Sequence, residues 1–177
     1  MINFFKHLGH IIKHKHYVFI NCVRCGMIWR GIVHDMSKFS PSEFWEGVKY
    51  YKGYRSPIAQ SRDERGYSLA WLHHKGRNKH HIQYWYDKEC KQIINIPYKY
   101  AVEFVCDQIS ACRCYKGKSY RPEMLLEHWD RYESTLETNQ DMKNFFRTVY
   151  TDMSKFGEKY ILKRKYMKKM YCQLVKK

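Results

Sequence analysis

Acidic side chains are scarce in this sequence: 17 Asp and Glu stand against 33 Lys and Arg, a formal charge of +16. That balance disfavours cationic partners and favours anionic ones, whether nucleic acid, nucleotides or an anionic membrane surface. Long apolar runs are missing too. No stretch approaches the roughly 18 uncharged apolar residues of a membrane span. The segment MINFFKHLGHIIKHKH lacks both the extended apolar region and the small-residue cleavage site of a secretory leader, so a cytoplasmic location is expected. Sustained period-two alternation between hairpin turns is absent, which argues against a sheet. There is no internal repeat and no low-complexity block. The seven cysteines (22, 25, 90, 106, 112, 114 and 172) are odd in number and sit mostly within apolar helical patterns. They read as reduced, buried thiols rather than a disulfide framework. Cys22-x-x-Cys25 has zinc-like spacing, but no second well-spaced pair accompanies it, and core packing is the simpler reading.

What remains is a chain of 177 residues, 44% of them apolar, long enough for one domain with a core of its own. The apolar spacing is helical. Ile11, His14, Val18, Cys22, Cys25 and Trp29 form one stripe of a first helix expected over residues 4–33, with Gly26 and Gly31 placed to bend or end it. Ser40-Pro41-Ser42-Glu43 is a helix start: Ser at the N-cap, Pro in the first turn, Glu three residues after the Ser. Residues 53–66 read as a loop. A helix is expected from Tyr67 to about Lys75, interrupted by Gly76. Pro97 and Pro122 each open another, and residues 141–153 form one more. The expected buried positions are Ala101, Val102, Val105, Ile109 and Cys112 after Pro97, and Leu125, His128 or Trp129, Tyr132 and Leu136 after Pro122. The fold class is therefore all-α, with one helical domain over residues 1–153. Residues 154–177 alternate Lys and Arg with Tyr, Met and Ile, and read as a basic amphipathic helix or tail that packs on the domain or reaches an anionic partner such as nucleic acid.

The ten histidines are unevenly placed. Four fall at 73, 74, 80 and 81, and another precedes an aspartate at His34-Asp35, in the junction between two helices. Imidazole and carboxylate together are the usual donors for divalent transition ions. His34 to Lys38 lie where side chains from two helices converge. Arg77 and Lys79 flank the histidine cluster as candidate contacts for an anionic substrate, and Asn78 could orient a neighbouring histidine.

The order His14, His34-Asp35, His74, His80-His81, Asp107 resembles the HD superfamily of metal-dependent phosphohydrolases, and His34-Asp35-Met36-Ser37-Lys38 looks like its H-D-x-x-K form. More narrowly, HDMSKFSPSEF, AWLHHKGRNKHHIQYW and EFVCD look like a small uncharacterised family of bacterial and phage proteins. The resemblance implies a compact HD-like helical bundle with His14, His34, Asp35 and Asp107 as metal ligands, and His74, His80 and His81 as added donors for a second ion. His16 competes with His14 as the first ligand, and which member of each histidine pair points inward is open. Lys38 would contact a phosphate oxygen, Asp35 would also orient or deprotonate a water, Arg77, Asn78 and Lys79 would hold substrate, and Glu103 would stand behind a ligand, one helical turn before Asp107. The implied cofactor is one or two ions of Mn, Fe, Co, Ni or Zn, and the implied substrate is a phosphorylated small molecule or nucleotide. Two other readings use the same residues: a nucleic-acid-binding protein with an HD-like fold, and a di-iron oxygenase on the same scaffold.

Overall fold

A computed structural model describes residues 2–175. Met1 and the last two residues of the expected tail, Lys176 and Lys177, lie outside the described residues. The chain is all-α; the described residues are 75% helical, with ten helices among them. Among the described residues the strands form one short antiparallel hairpin, Tyr86–Asp87 against Gln92–Ile93.

Helix α1 (Ile2–Arg24) turns His7, Ile11, His14, Val18 and Cys22 inward along one face. It does not run on to residue 33. Gly26 takes a φ of +72°, Met27 N–H returns to the Cys22 carbonyl at 2.8 Å, and the chain reverses into α2 (Ile28–Val33). That left-handed turn suits glycine, which has no Cβ to clash. The reversal turns Trp29 outward, 70% exposed, rather than onto the expected stripe.

Beyond α2 the backbone passes through His34 and then Asp35, whose φ of +52° places a non-glycine residue in the left-handed region. A 3₁₀ turn (Met36–Phe39) leads to α3 (Pro41–Lys49). Ser40 occupies the N-cap, but its side chain does not cap the helix; it contacts the Ser42 hydroxyl instead, and Glu43 points into the protein. Residues 53–66 are not a loop. They contain α4 (Pro57–Arg65), bounded by Ser56 and by Gly66 at φ +80°. Helix α5 (Leu69–Arg77) is capped by the Ser68 hydroxyl, which accepts from Trp71 N–H at 3.1 Å, and it runs through Gly76 without interruption.

Helix α6 (Tyr98–Lys116) is the central element, with Ala101, Val102, Val105, Cys106 and Ile109 fully buried. It packs along α1, where Asn21 Nδ2 donates to Ser110 Oγ at 3.1 Å. Helices α7 (Glu123–Tyr132) and α8 (Gln140–Phe156) pack against one another; α8 meets α6 through the Phe104 and Phe146 rings, 4.9 Å apart. On α7 it is Trp129 that is buried, while His128 and Tyr132 are exposed. The C-terminal segment forms α9 (Glu158–Ile161) and α10 (Arg164–Leu174). Its apolar residues Ile161, Leu162, Met167 and Val175 join the same core as α6 and α8, and Tyr171 O–H closes onto the Ile96 carbonyl at 2.6 Å. Among the described residues no helix is long and apolar enough to cross a membrane.

Candidate metal centre

Four segments far apart in sequence deliver side chains to one buried point. Helix α1 supplies His14, the α2–3₁₀ junction His34 and Asp35, α5 and the segment after it His74, His80 and His81, and α6 Glu103 and Asp107. The last two are one turn apart on α6 and so share a face. His14, His34, Asp35, His74, His80, Glu103 and Asp107 are all buried, and His81 is partly so.

Donor atoms fall into three groups, each with all its atoms within 4.8 Å of one another: His14, His34, Asp35 and Asp107; Asp35, His74, His80 and His81; and His34, His80 and Glu103. The first two share Asp35. The two carboxylate oxygens of Asp35 divide between them. Oδ2 lies 3.3 Å from His34 Nε2 and 3.9 Å from His14 Nε2, whereas Oδ1 lies 3.4 Å from His74 Nε2 and 3.5 Å from His80 Nε2. Asp107 Oδ1 completes the first group, 3.0 Å from His14 Nε2 and 3.5 Å from His34 Nε2. Two donors on one tetrahedral or octahedral ion with bonds of about 2.1 Å stand roughly 3.0–3.4 Å apart. Three of the six separations fall in that range, and the others run from 3.5 to 3.9 Å.

Hydrogen bonding points the same way. Nε2 of His14, His34, His80 and His81 and Oδ1 of Asp35 are buried without a hydrogen-bond partner. Buried polar atoms are normally satisfied, and leaving one unpaired costs about 1–3 kcal/mol. Here the unpaired atoms converge, and each is a metal donor. The residues therefore fit a divalent ion in each of the two groups that share Asp35.

The far sides of the rings are fixed by carboxylates. His34 Nδ1 lies 3.0 Å from Glu103 Oε1, and His80 Nδ1 lies 3.5 Å from the same oxygen. Burial pushes the Glu103 carboxyl up, but the His34 hydrogen bond and the nearby His80 ring outweigh it and bring it down to about 2. A deprotonated Glu103 makes His34 Nδ1 a donor; against burial, Asp35, Asp107 and Glu103 raise the His34 pKa well above its ordinary value, so an ion at Nε2 would displace a proton. Arg30 holds the other Glu103 oxygen at 2.6 Å. Glu43 does the same work for α5: His74 Nδ1 donates to Oε2 at 2.7 Å, and His73 Nδ1 to Oε1 at 2.6 Å. Of the first histidine pair, His74 thus faces the centre and His73 stands behind Glu43. Of the second, both His80 and His81 reach the group. His16 is exposed, which leaves His14 as the residue of α1 that contributes.

Burial disfavours charge on Asp35, yet His34, Lys38 and His74 hold its carboxyl well below the usual carboxylate range. Asp107 is held down likewise by His14 and His34. Burial, aided by Lys38, lowers the His14 pKa, and burial with His80 and His74 lowers that of His81, so both rings are neutral and able to ligate. Lys38 Nζ sits 2.6 Å from Asp35 Oδ2, and its pKa is raised chiefly by that carboxylate against the effect of burial.

A cavity of about 520 Å³ opens over the centre, and His14, Asp35, Lys38, His74, His81 and Asp107 line it. Arg77 and Lys79 do not. Both are exposed on the outer side of α5 and its end, and Lys79 lies over the Tyr84 ring. Asn78 is buried but reaches the Ser37 hydroxyl at 2.7 Å and the His74 carbonyl at 2.8 Å, tying the end of α5 to the 3₁₀ turn rather than facing the cavity. Sequence reasoning missed Arg62 of α4, which lines the cavity and stacks on Trp71 at 5.0 Å. It also missed Glu43, whose place after Ser40-Pro41 is that of a capping residue.

A family model matches residues 3–155, and the chain belongs to that family, a family of unknown function (DUF5662). No curated protein and no solved structure matches it.

Proposed function

We propose that this protein is a metal-dependent phosphohydrolase of the HD type, acting on a phosphate ester in the cavity above the centre. The observation that carries the reading is the Asp35 carboxylate, which presents one oxygen to each of two donor groups. A divalent pair held there would supply a water of lowered pKa and positive charge opposite a phosphoryl group.

The residues have distinct tasks. His14, His34 and Asp107 would hold one ion, and His74 with His80 or His81 the other, with Asp35 common to both. Asp35, held deprotonated, would orient the attacking water. Lys38 Nζ, beside Asp35 and lining the cavity, provides a fixed positive charge for a phosphoryl oxygen. Arg62, which also lines the cavity, would add a second cation for a substrate with more than one anionic group. Glu103 and Glu43 fix the orientation of the imidazoles.

The test is metal content by elemental analysis, followed by phosphate release from a panel of phosphomonoesters, phosphodiesters and nucleotides with Mn, Fe, Co, Ni or Zn. Release that requires metal and vanishes in Asp35→Ala is expected. A protein that retains no divalent ion, or release unaffected by Asp35→Ala, overturns the reading. The nitrogen-rich donor set also suits iron, which favours a di-iron oxygenase as the second reading. Oxygen consumption that requires iron, with no phosphate release, would select it.

A further inference from the structure

Helix α1 is apolar on two sides. Its inner face builds the core and the metal centre. Its outer face, where an amphipathic helix of a globular domain is polar, carries Ile12, Phe19 and Val23 at helical spacing, with Ile12 55% exposed. Helix α2 lies against that helix: a Cβ built on Gly31 would stand 3.0 Å from the Phe19 Cα, and Lys15 Nζ donates to the Ile32 carbonyl at 3.3 Å. It adds Ile28, Trp29 and Ile32, exposed by 58%, 70% and 49%. Six large apolar side chains on two packed helices form a surface of the kind that marks an interaction site.

The charge around this surface identifies its occupant. Residues 1–34 contain no Asp or Glu at all, whereas Lys6, Lys13, Lys15, Arg24 and Arg30 all fall within them. Of these, Lys6, Lys13 and Arg24 are exposed along the same helix as the apolar stripe. A second copy of the chain would bring like-charged rims together on a molecule of formal charge +16. Nucleic acid matches the cations but not a surface whose six large apolar side chains include four aliphatic ones. A bilayer of anionic lipids matches both: Trp and aliphatic residues enter the boundary between headgroups and acyl chains while Lys and Arg meet the phosphates. We propose that the α1–α2 face docks this protein on an anionic lipid surface. The C-terminal segment, for all its basic and aromatic character, is not the docking element, because its apolar side is already in the core.

The experiment is co-sedimentation of the full chain with vesicles of phosphatidylcholine alone or mixed with phosphatidylglycerol, at low and high salt. Two double variants accompany it, Trp29→Gln with Ile32→Gln and Lys6→Gln with Lys13→Gln. All four side chains face solvent or are only partly covered, so far-UV circular dichroism should be unchanged. Binding to the mixed vesicles alone is expected, weakened by salt and reduced about tenfold or more in each double variant. Three outcomes overturn the proposal: no binding to mixed vesicles, binding that both double variants retain in full, or a stable dimer in sedimentation equilibrium that Trp29→Gln with Ile32→Gln converts to monomer. Each reading is independent of whether the centre hydrolyses anything.

Discussion

Glu103→Gln is the most informative single change, because one carboxylate serves both donor groups. Glutamine keeps the shape and loses the charge. Glu103 Oε1 faces His34 Nδ1 at 3.0 Å and His80 Nδ1 at 3.5 Å, while Oε2 faces Arg30 Nε at 2.7 Å. An amide offers only one acceptor oxygen. If that oxygen stays on His34, the NH2 group meets the Arg30 guanidinium; if it turns to Arg30, the NH2 meets two ring nitrogens that should be donors. In either case the tautomer that points Nε2 at the ion is no longer enforced. Loss of such a partner costs about 10–100-fold in metal affinity, which is about 1.4–2.7 kcal/mol per ion. His34 belongs to one donor group and His80 to the other, so both binding steps should weaken. Glu43→Gln is the control: of the donor histidines it touches only His74, so one step should weaken and the other hold. The assay is titration of metal-free protein with zinc or manganese against a chromophoric chelator, resolved into two steps, with circular dichroism to confirm the fold. If Glu103→Gln weakens neither step, or only the one that Glu43→Gln weakens, the account of the paired groups is wrong.

Further outcomes separate the roles of neighbouring residues. His14→Ala should bind one ion fewer than wild type by elemental analysis, Asp35→Asn should lose both, and His16→Ala should match wild type in metal content and lie within about 0.5 kcal/mol of it in stability. Acid should destabilise the metal-free protein through His7 and His10. Burial first, with the charge of Lys38 assisting at His7 and those of His14 and Lys38 at His10, lowers both to about 4. The unfolded chain takes up these protons near pH 6.5 and the folded chain only near 4, so stability falls as pH drops through that window. A double variant His7→Phe with His10→Phe should lose less stability than wild type across the same window in denaturant melts; parallel curves would refute the assignment. Ending the chain at residue 157 removes Ile161, Leu162, Met167 and Val175 from the core, each worth about 1.5–3 kcal/mol of burial, so the truncated protein should be largely unfolded by calorimetry.

The centre was more legible than the scaffold around it. His14, His34-Asp35 and Asp107 follow one another at helical or junction positions, and the fold brings them together because α1 and α6 pack side by side with the α2–3₁₀ junction beside them. Where local pattern and tertiary role diverge, the sequence misleads. Glu43 occupies the third place after a Ser-Pro helix start, and only the position of α5 against α3 shows that it orients His74 instead. Helix α4 was hidden by its polarity, although Ser56-Pro57 and Gly66 carry the same start and stop signs that mark other helices. Arg62 was lost with it. Arg77 seemed close to the histidines by number, but helix α5 continues through Gly76, and a residue three places after His74 on its solvent side turns away. The basic tail could dock outward or inward on pattern alone; the rings of Tyr98 and Phe145, each packed on Tyr171, draw it inward.

The convergence of four segments on one point has a mechanical consequence. The cysteines of this chain are free thiols, so no covalent tie joins the N-terminal helix to the central one. An ion gripped by His14 and Asp107 would be such a tie, and one gripped by His74 and Asp35 would fasten α5 to the junction ahead of α3. Binding energy of this kind adds directly to the stability of the folded chain in proportion to the logarithm of free ion concentration. Depletion of the ion would then be felt as slackening of the first two-thirds of the molecule, with amide protons in α1, α5 and α6 exchanging faster while those of α8 and α10 stay protected. The centre would then act as a clasp, and the free ion concentration would set how much of the chain stays folded.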